Sequence, residues 1–213
     1  MFNRLAFWKT KGMNPGVIYD IGANDGSWTR DAKQVFPEAR YEQFEANSQH
    51  TKPGVHTVLL GETTKDVQFY KASGPSAGSN TGASVYLEVT HHYVPGTYTT
   101  ETLPMVPLDD YAARAALPPP DLIKLDVQGA ELDVLKGGET LLQGTKYVLM
   151  EVSLHRWNKD APMIEDVMAY MSARGFECID IVDTHTVKDY LFQIDVLFAH
   201  KSTSLRKQDF YER

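Results

Sequence analysis

Residues 17–26, Val-Ile-Tyr-Asp-Ile-Gly-Ala-Asn-Asp-Gly, constrain the fold more than any other stretch of the chain. Val17 to Ile21 is an apolar run carrying one acid, Asp20, and it breaks into a short turn bounded by Gly22 and Gly26. Residues 27–36 follow and read as a helix. Strand, glycine turn and helix, in that order, form the opening unit of a nucleotide-binding sheet. Glycine permits positive φ and lets a ligand approach the main chain. The helix behind the turn presents N–H groups without intrahelical partners.

The turn departs from the dinucleotide fingerprint, because Asn24 stands at the middle glycine position. Asp20 and Asp25 also put negative charge where a pyrophosphate would lie. A cationic or zwitterionic ligand suits this turn better. S-adenosylmethionine carries a sulfonium, an amino group and a carboxylate, and no phosphate. The competing reading is a plain tight turn.

A chain of 213 residues fits one domain with a full core, spanning residues 1–213, with 1–16 as an N-terminal extension. Its net charge of −7 argues against wholesale binding to a nucleic-acid backbone. The lone Cys178 excludes an internal disulfide and is expected as a packed side chain in a strand. That usage fits a reducing cytoplasm. Phe2, Leu5, Phe7 and Trp8 are interspersed with basic residues and form no signal-peptide run, and no stretch reaches membrane-spanning length. This extension is expected to pack on its own domain, with a short amphipathic surface helix as the other reading.

Further along, Arg40 to Glu45 alternates as a second strand and ends at Glu45-Ala46-Asn47. Glu45 follows Asp20 by about 25 residues, close to the spacing at which an acid meets ribose hydroxyls in such folds. The alternative for Glu45 is an exposed strand end. Val55 to Leu60 reads as a third strand, and Lys65 to Lys71 as one arm of a hairpin, opening an insertion over about 65–105. Residues 73–84, rich in Gly and Ser, read either as a substrate lid or as surface slack. Residues 86–102, with His91, His92, Tyr93 and Tyr98, suit either contacts to a sugar or cover for a sheet edge. Leu122 to Val127 is a buried strand interrupted by Lys124 and Asp126, and Lys146 to Val152 another, carrying Glu151. Strands at 176–182 and 190–199 close the chain as an antiparallel pair. Alternating strands and helices argue an α/β fold, a mostly parallel sheet with helices on both faces. Its carboxyl edge would gather Asp20, Glu45, Glu62, Asp126 and Glu151, which makes that edge the candidate site.

With both long stretches in view, Val17–Gly26 and Ile123-Lys-Leu-Asp-Val-Gln-Gly-Ala-Glu-Leu-Asp-Val-Leu-Lys-Gly137, the chain resembles the FkbM-type methyltransferases, a branch of the class I S-adenosylmethionine-dependent enzymes. The Lys-x-Asp-x-x-Gly-x-Glu spacing is the more specific signal. Phe44–Asn47, Thr81–Ser84, Val106–Asp110 and Met150–Val152 support it. The resemblance implies a three-layer Rossmann-like sandwich whose seven-stranded sheet has an antiparallel last strand. It implies S-adenosylmethionine as methyl donor and a hydroxyl of a sugar, glycolipid or related small natural product as acceptor. By position, Asp20, Gly22, Ala23, Asn24 and Gly26 would line the amino-acid end of the cofactor. Glu45 and Ala46 would hold the ribose, Gly61 and Glu62 would lie near adenine, and Asp126 would face the methyl group.

Methyl transfer to an alcohol needs a base for its proton. The candidates are His155, Asp126 and Glu151, with Asp126 favoured for orienting substrate or the cofactor amine. Lys124 is expected to pair with Glu151 and hold it ionised. A divalent metal held by Asp126, Glu151 and His155 is a lesser alternative, and no metal is expected. The partners expected are a small-molecule or glycan acceptor, and neither nucleic acid nor an integral membrane segment. Rival readings are a non-catalytic S-adenosylmethionine-binding module and a methyltransferase acting on protein or nucleic acid.

Overall fold

The computed structural model describes residues 1–50, 52–73, 82–89 and 95–207. The chain runs α1 (Phe2–Thr10), β1 (Val17–Ile21), α2 (Ser27–Val35), β2 (Arg40–Glu45), β3 (Val55–Thr57), β4 (Leu59–Leu60), β5 (Lys65–Ala72), β6 (Tyr98–Val106), α3 (Leu108–Arg114) and β7 (Leu122–Leu125). It continues through α4 (Glu131–Lys136), α5 (Glu139–Gly144), β8 (Tyr147–Ser153), α6 (Ile164–Ala173), β9 (Phe176–Val187) and β10 (Tyr190–His200).

Seven strands form the main sheet in the order β3-β2-β1-β7-β8-β10-β9. All neighbours from β3 to β8 are parallel, and β10 alone runs against both of its neighbours. Central parallel strands are covered on both faces and therefore read as continuous apolar runs. Alternate residues then serve opposite cores. Ile18, Leu122, Tyr147, Leu149 and Leu197 pack under α1 and α2 with Leu5, Trp8 and Val35. Tyr19, Ile21, Ile123, Leu125, Val148 and Met150 pack against Leu108, Leu135, Leu142 and Met171 of α3 to α6.

The expected N-terminal extension is thus part of the domain surface. Leu5 and Trp8 of α1 are buried, and Trp8 Nε1 and Arg4 Nε both donate to the Asp180 carboxylate of β9 at 2.7 Å. The expected third strand divides in two. Val58 donates its N–H to the Glu45 carbonyl at 3.0 Å, and the chain then leaves the main sheet so that Leu59 and Leu60 pair with β6. The expected hairpin is present, with β5 antiparallel to β6, and β4-β6-β5 form a second sheet over the carboxyl edge of the first. Residues 74–81 and 90–94, including His91, His92 and Tyr93, lie outside the described residues. Cys178, expected to be packed, is exposed on β9, because β9 is the edge of the sheet.

Candidate active site

The turn after β1 and the turn after β2 are tied together by Glu45. The N–H groups of Gly22 and Ala23 donate to the Phe44 carbonyl at 2.9 and 3.0 Å. Asn24, at φ +47°, donates its N–H to Glu45 Oε2 at 2.8 Å, and Asn47 donates to Oε1 at 2.7 Å. Glu45 is buried, so it is no exposed strand end. Each oxygen has accepted one N–H and keeps a further lone pair. Gly22 has to be glycine twice over: its φ is +76°, and a Cβ there would lie 1.9 Å from the Asp126 carbonyl oxygen. The ends of β1 and β7 meet at that point.

Behind the turn lies a buried ion pair. Asp20 and Lys124 stand opposite each other in the β1–β7 register. Lys124 Nζ lies 3.2 Å from Asp20 Oδ1 and 3.6 Å from Asp126 Oδ2, and donates to the Gly22 carbonyl at 3.2 Å. Thr29 Oγ1 donates to Asp20 at 2.6 Å. The expected Lys124–Glu151 pair is therefore corrected. On β8 the residue beside Lys124 is Leu149, and Glu151 lies two residues further along. Burial pulls the Lys124 ammonium down, but the Asp20 and Asp126 carboxylates outweigh it and hold the group above its ordinary value. Asp20 and Lys124 are not part of the cavity wall; they brace it.

In front of the turn is a cavity of about 780 Å³, a size typical of small-molecule sites. Gly22, Asn24, Glu45, Ala46, Asp126 and Glu151 all line it, which brings six of the expected residues together. One end is apolar, with Phe44, Leu59, Leu60 and Phe69. Phe44 is stacked on His56 at 4.9 Å, and His56 is held by Glu42 at 3.0 Å and Tyr111 at 3.2 Å. The expected adenine neighbours, Gly61 and Glu62, lie outside this wall. Gly61 packs under Met105, and Glu62 points outward with Lys136 at 3.8 Å. The wall runs through Val58, Leu59 and Leu60 instead, because the chain turns into the second sheet there. Ala23 and Gly26 also stand behind the wall, with Gly26 starting α2 at φ +77°.

The other end is polar and draws on β8, β9 and β10. Gln128 Nε2 donates to Asp126 Oδ1 at 2.8 Å and to Glu151 Oε2 at 3.0 Å, and Gln193 Nε2 donates to the same Glu151 oxygen at 2.8 Å. His185 Nε2 lies 2.7 Å from Asp195 Oδ2 and 3.9 Å from Glu151 Oε1. Burial pushes the Glu151 carboxyl well above the ordinary range, and the charges of Asp126, Glu131 and Asp195 add to it. Burial likewise raises Asp195, against the pull of His185. Trp157 and Phe192, with ring centroids 4.9 Å apart, complete this end.

His155 is not there. It is exposed on the loop after β8 and outside the wall, so Asp126, Glu151 and His155 do not converge on one point. The cavity histidine on this side is His185, a residue the strand reading missed by ending β9 at residue 182. The signal was present: Thr184-His185-Thr186-Val187 keeps a strand composition up to the two-residue turn Lys188-Asp189, where both φ values are positive, +48° and +66°. Gln128, Gln193, Trp157, Phe192 and His50 of the lining also went unread.

The Lys-x-Asp-x-x-Gly-x-Glu spacing now has a physical account. Lys124 braces the turn from behind, and Asp126 faces the cavity. Gly129, at φ +100°, passes so close to Ala161 that a Cβ would come within 2.8 Å of the alanine's. Glu131 Oε1 accepts the N–H of Val127 at 3.0 Å and of Gly129 at 3.2 Å, which fixes the loop. Ser84 Oγ donates to the Gln128 carbonyl at 2.8 Å and clips the second sheet to the same loop.

Burial raises the Glu131 carboxyl from 4.5 to about 7. The fold then binds this proton more tightly than the unfolded chain does. The stability it contributes is full below the unfolded value and is lost as pH rises to about 7. Glu131→Gln keeps an acceptor for both N–H groups and removes the titration. Between about pH 4.5 and pH 8, unfolding in urea should shift in the variant's favour by up to about 3 kcal/mol relative to wild type. A difference that stays constant across that window would show that Glu131 does not titrate in the fold.

Comparison with known proteins follows the same lines. A family model described as the methyltransferase FkbM domain matches residues 20–178. The chain is 28% identical over 156 residues to the 2-O-methyltransferase NoeI of Sinorhizobium fredii, covering 64% of this chain and 63% of that protein. It is 26% identical over 145 residues to the hexuronic acid methyltransferase AglP of Haloferax volcanii, covering 64% of this chain and 55% of that one. The chain thus spans less than two thirds of the length of these relatives. The crystal structure of an FkbM methyltransferase from Methylobacillus flagellatus shares the fold, with a TM-score of 0.50 at 18% identity over 85% of this chain and 43% of that one. The motifs and the family match over residues 20–178 lead to one conclusion: the chain belongs to the FkbM methyltransferase domain family.

Proposed function

We propose that the protein is an S-adenosylmethionine-dependent O-methyltransferase whose acceptor is a hydroxyl of a sugar, glycolipid or related small natural product. The carrying observation is that one cavity joins the Glu45-tied turn to the Glu151–His185–Asp195 cluster. The names of two relatives, a 2-O-methyltransferase and a hexuronic acid methyltransferase, point the same way.

The lining fits the cofactor in parts. Glu45 has lone pairs for vicinal ribose hydroxyls. Phe44, Leu59 and Leu60 offer apolar cover to a flat base, and Asp126 offers a carboxylate to an ammonium. When bound, the cofactor supplies a methyl group on a sulfonium, an electrophile whose leaving group is a neutral thioether. The protein must hold the acceptor oxygen about 3 Å from that carbon, in line with the breaking bond. His185 takes the hydroxyl proton as the oxygen attacks. Asp195 holds the imidazole by Nε2 at 2.7 Å, which leaves Nδ1 as the accepting nitrogen.

The test is calorimetry with S-adenosylmethionine and with NADH, on wild type and on Glu45→Gln. Glutamine retains one acceptor for the turn N–H groups and loses the carboxylate charge. S-adenosylmethionine affinity is expected to fall by about 10- to 100-fold, as for loss of a charge-assisted hydrogen bond. NADH should not bind. Binding of NADH in place of S-adenosylmethionine would refute the reading. Cofactor binding without methyl transfer to any hydroxyl acceptor would favour a binding module.

A further inference from the structure

Buried polar side-chain atoms are normally hydrogen-bonded, and each exception needs a physical reason. Among the described residues five such atoms have no hydrogen bond: Asp20 Oδ1, Gln43 Nε2, Asn47 Nδ2, His50 Nε2 and Asn158 Oδ1. Asp20 Oδ1 has its counter-ion, Lys124 Nζ, at 3.2 Å. Gln43, Asn47 and Asn158 stand outside the cavity wall. His50 alone of the five belongs to it.

The turn after β2 puts it there. Glu45 Oε1 accepts the Asn47 N–H at 2.7 Å, and the Asn47 carbonyl accepts the His50 N–H at 2.9 Å. Ser48–His50 form a single 3-10 turn. Glu45, Ala46 and His50 therefore enter one wall together. A buried imidazole nitrogen with nothing to bond has lost its water and gained no partner. A ligand group that bonds it recovers that loss.

The neighbouring carboxylate selects which group. A carboxylate only accepts, so vicinal hydroxyls that meet Glu45 must donate their hydrogens to it. Each of those oxygens keeps two lone pairs and can take a donor. The imidazole supplies one when its hydrogen is on Nε2. Glu45 and His50 are then an acceptor and a donor matched to one diol, whereas Phe44, Leu59 and Leu60 give the base only apolar cover.

We infer that His50 Nε2 donates to a ribose hydroxyl of the cofactor, within the same diol whose hydrogens Glu45 accepts. The inference rests on the S-adenosylmethionine reading above and adds a second side chain that holds the sugar.

The test is calorimetry with S-adenosylhomocysteine and its 2′-deoxy and 3′-deoxy analogues, on wild type, His50→Phe and His50→Gln. Phenylalanine keeps a flat ring and has no nitrogen, and glutamine can bring an amide N–H near the place of Nε2. His50→Phe should weaken S-adenosylhomocysteine by about tenfold, and His50→Gln should stay within about threefold of wild type. For the deoxy analogue that lacks the bonded hydroxyl, His50→Phe should cost about twofold or less, because the partner is already gone. Equal losses for all three ligands, or no loss for S-adenosylhomocysteine, would overturn the inference and leave the cofactor reading standing. A wild-type protein that binds none of the three would overturn that reading, and this inference with it.

Discussion

Lys124→Met is expected to destabilise the fold by about 3–5 kcal/mol, the usual cost of removing one member of a buried ion pair. The substitution fills similar volume, so the loss is electrostatic rather than steric. It leaves Asp20, with no exposed surface, facing only the Thr29 hydroxyl. In a chain of this length that corresponds to a fall in melting temperature of roughly 10 °C. Asp20→Asn combined with Lys124→Met removes both charges and should recover much of the loss, because two uncharged groups no longer need each other. Urea unfolding of the two single variants and the double variant reads the coupling directly. Additive losses would show that the two side chains do not support one another. If Lys124→Met instead kept its unfolding free energy and lost only turnover, the lysine would belong to the chemistry.

That prediction replaces the one the strand sequence suggested, and the reason is instructive. Alternation along residues 122–127 places Lys124 and Asp126 on one face of a buried strand, which the 3.6 Å contact between them bears out. Alternation alone cannot say which neighbouring strand supplies the counter-ion. Asp20 and Glu151 both lie on that face, and only the register of β7 against β1 and β8 decides between them.

The parallel half of the sheet was legible for a related reason. Strands buried on both faces, such as 17–21 and 122–125, announce themselves as apolar runs, and Gly22 and Gly129 at positive φ mark the turns that follow. The expected cofactor residues Gly22, Asn24, Glu45 and Ala46 come from that half and share one cavity wall. The misplaced residues come from where the chain leaves the pattern. Val58 turns the chain into a second sheet, which moves the wall from Gly61 and Glu62 to Leu59 and Leu60. The polar end depends on a hairpin whose strands stretch to 12 and 11 residues, longer than their apolar cores suggest. Hydrophobic periodicity fades once a strand's outer half borders a cavity, so His185 is marked only by the strand composition that runs on to the Lys188-Asp189 turn, and Gln193, inside the expected last strand, by nothing that singles it out.

His185→Gln is expected to lower kcat by about 10²–10⁴-fold, the range that a positioned general base contributes, while S-adenosylmethionine affinity stays within a few-fold of wild type. The imidazole lines the polar end of the cavity, where Asp195 holds it at 2.7 Å beside Glu151. Glu151 is the alternative, but burial among other acids holds its carboxyl toward the protonated form, and both Gln128 and Gln193 donate to one of its oxygens. Asp195→Asn keeps the size of the His185 partner and loses the charge that fixes its tautomer, so kcat should fall here too, again without a change in cofactor binding. The split between kcat and S-adenosylmethionine affinity separates a base from a residue that only shapes the cavity. His155→Ala, on the exposed loop, should leave both unchanged. A His185→Gln variant that keeps wild-type kcat would return the role to Glu151, and Glu151→Gln would then be the variant that loses turnover.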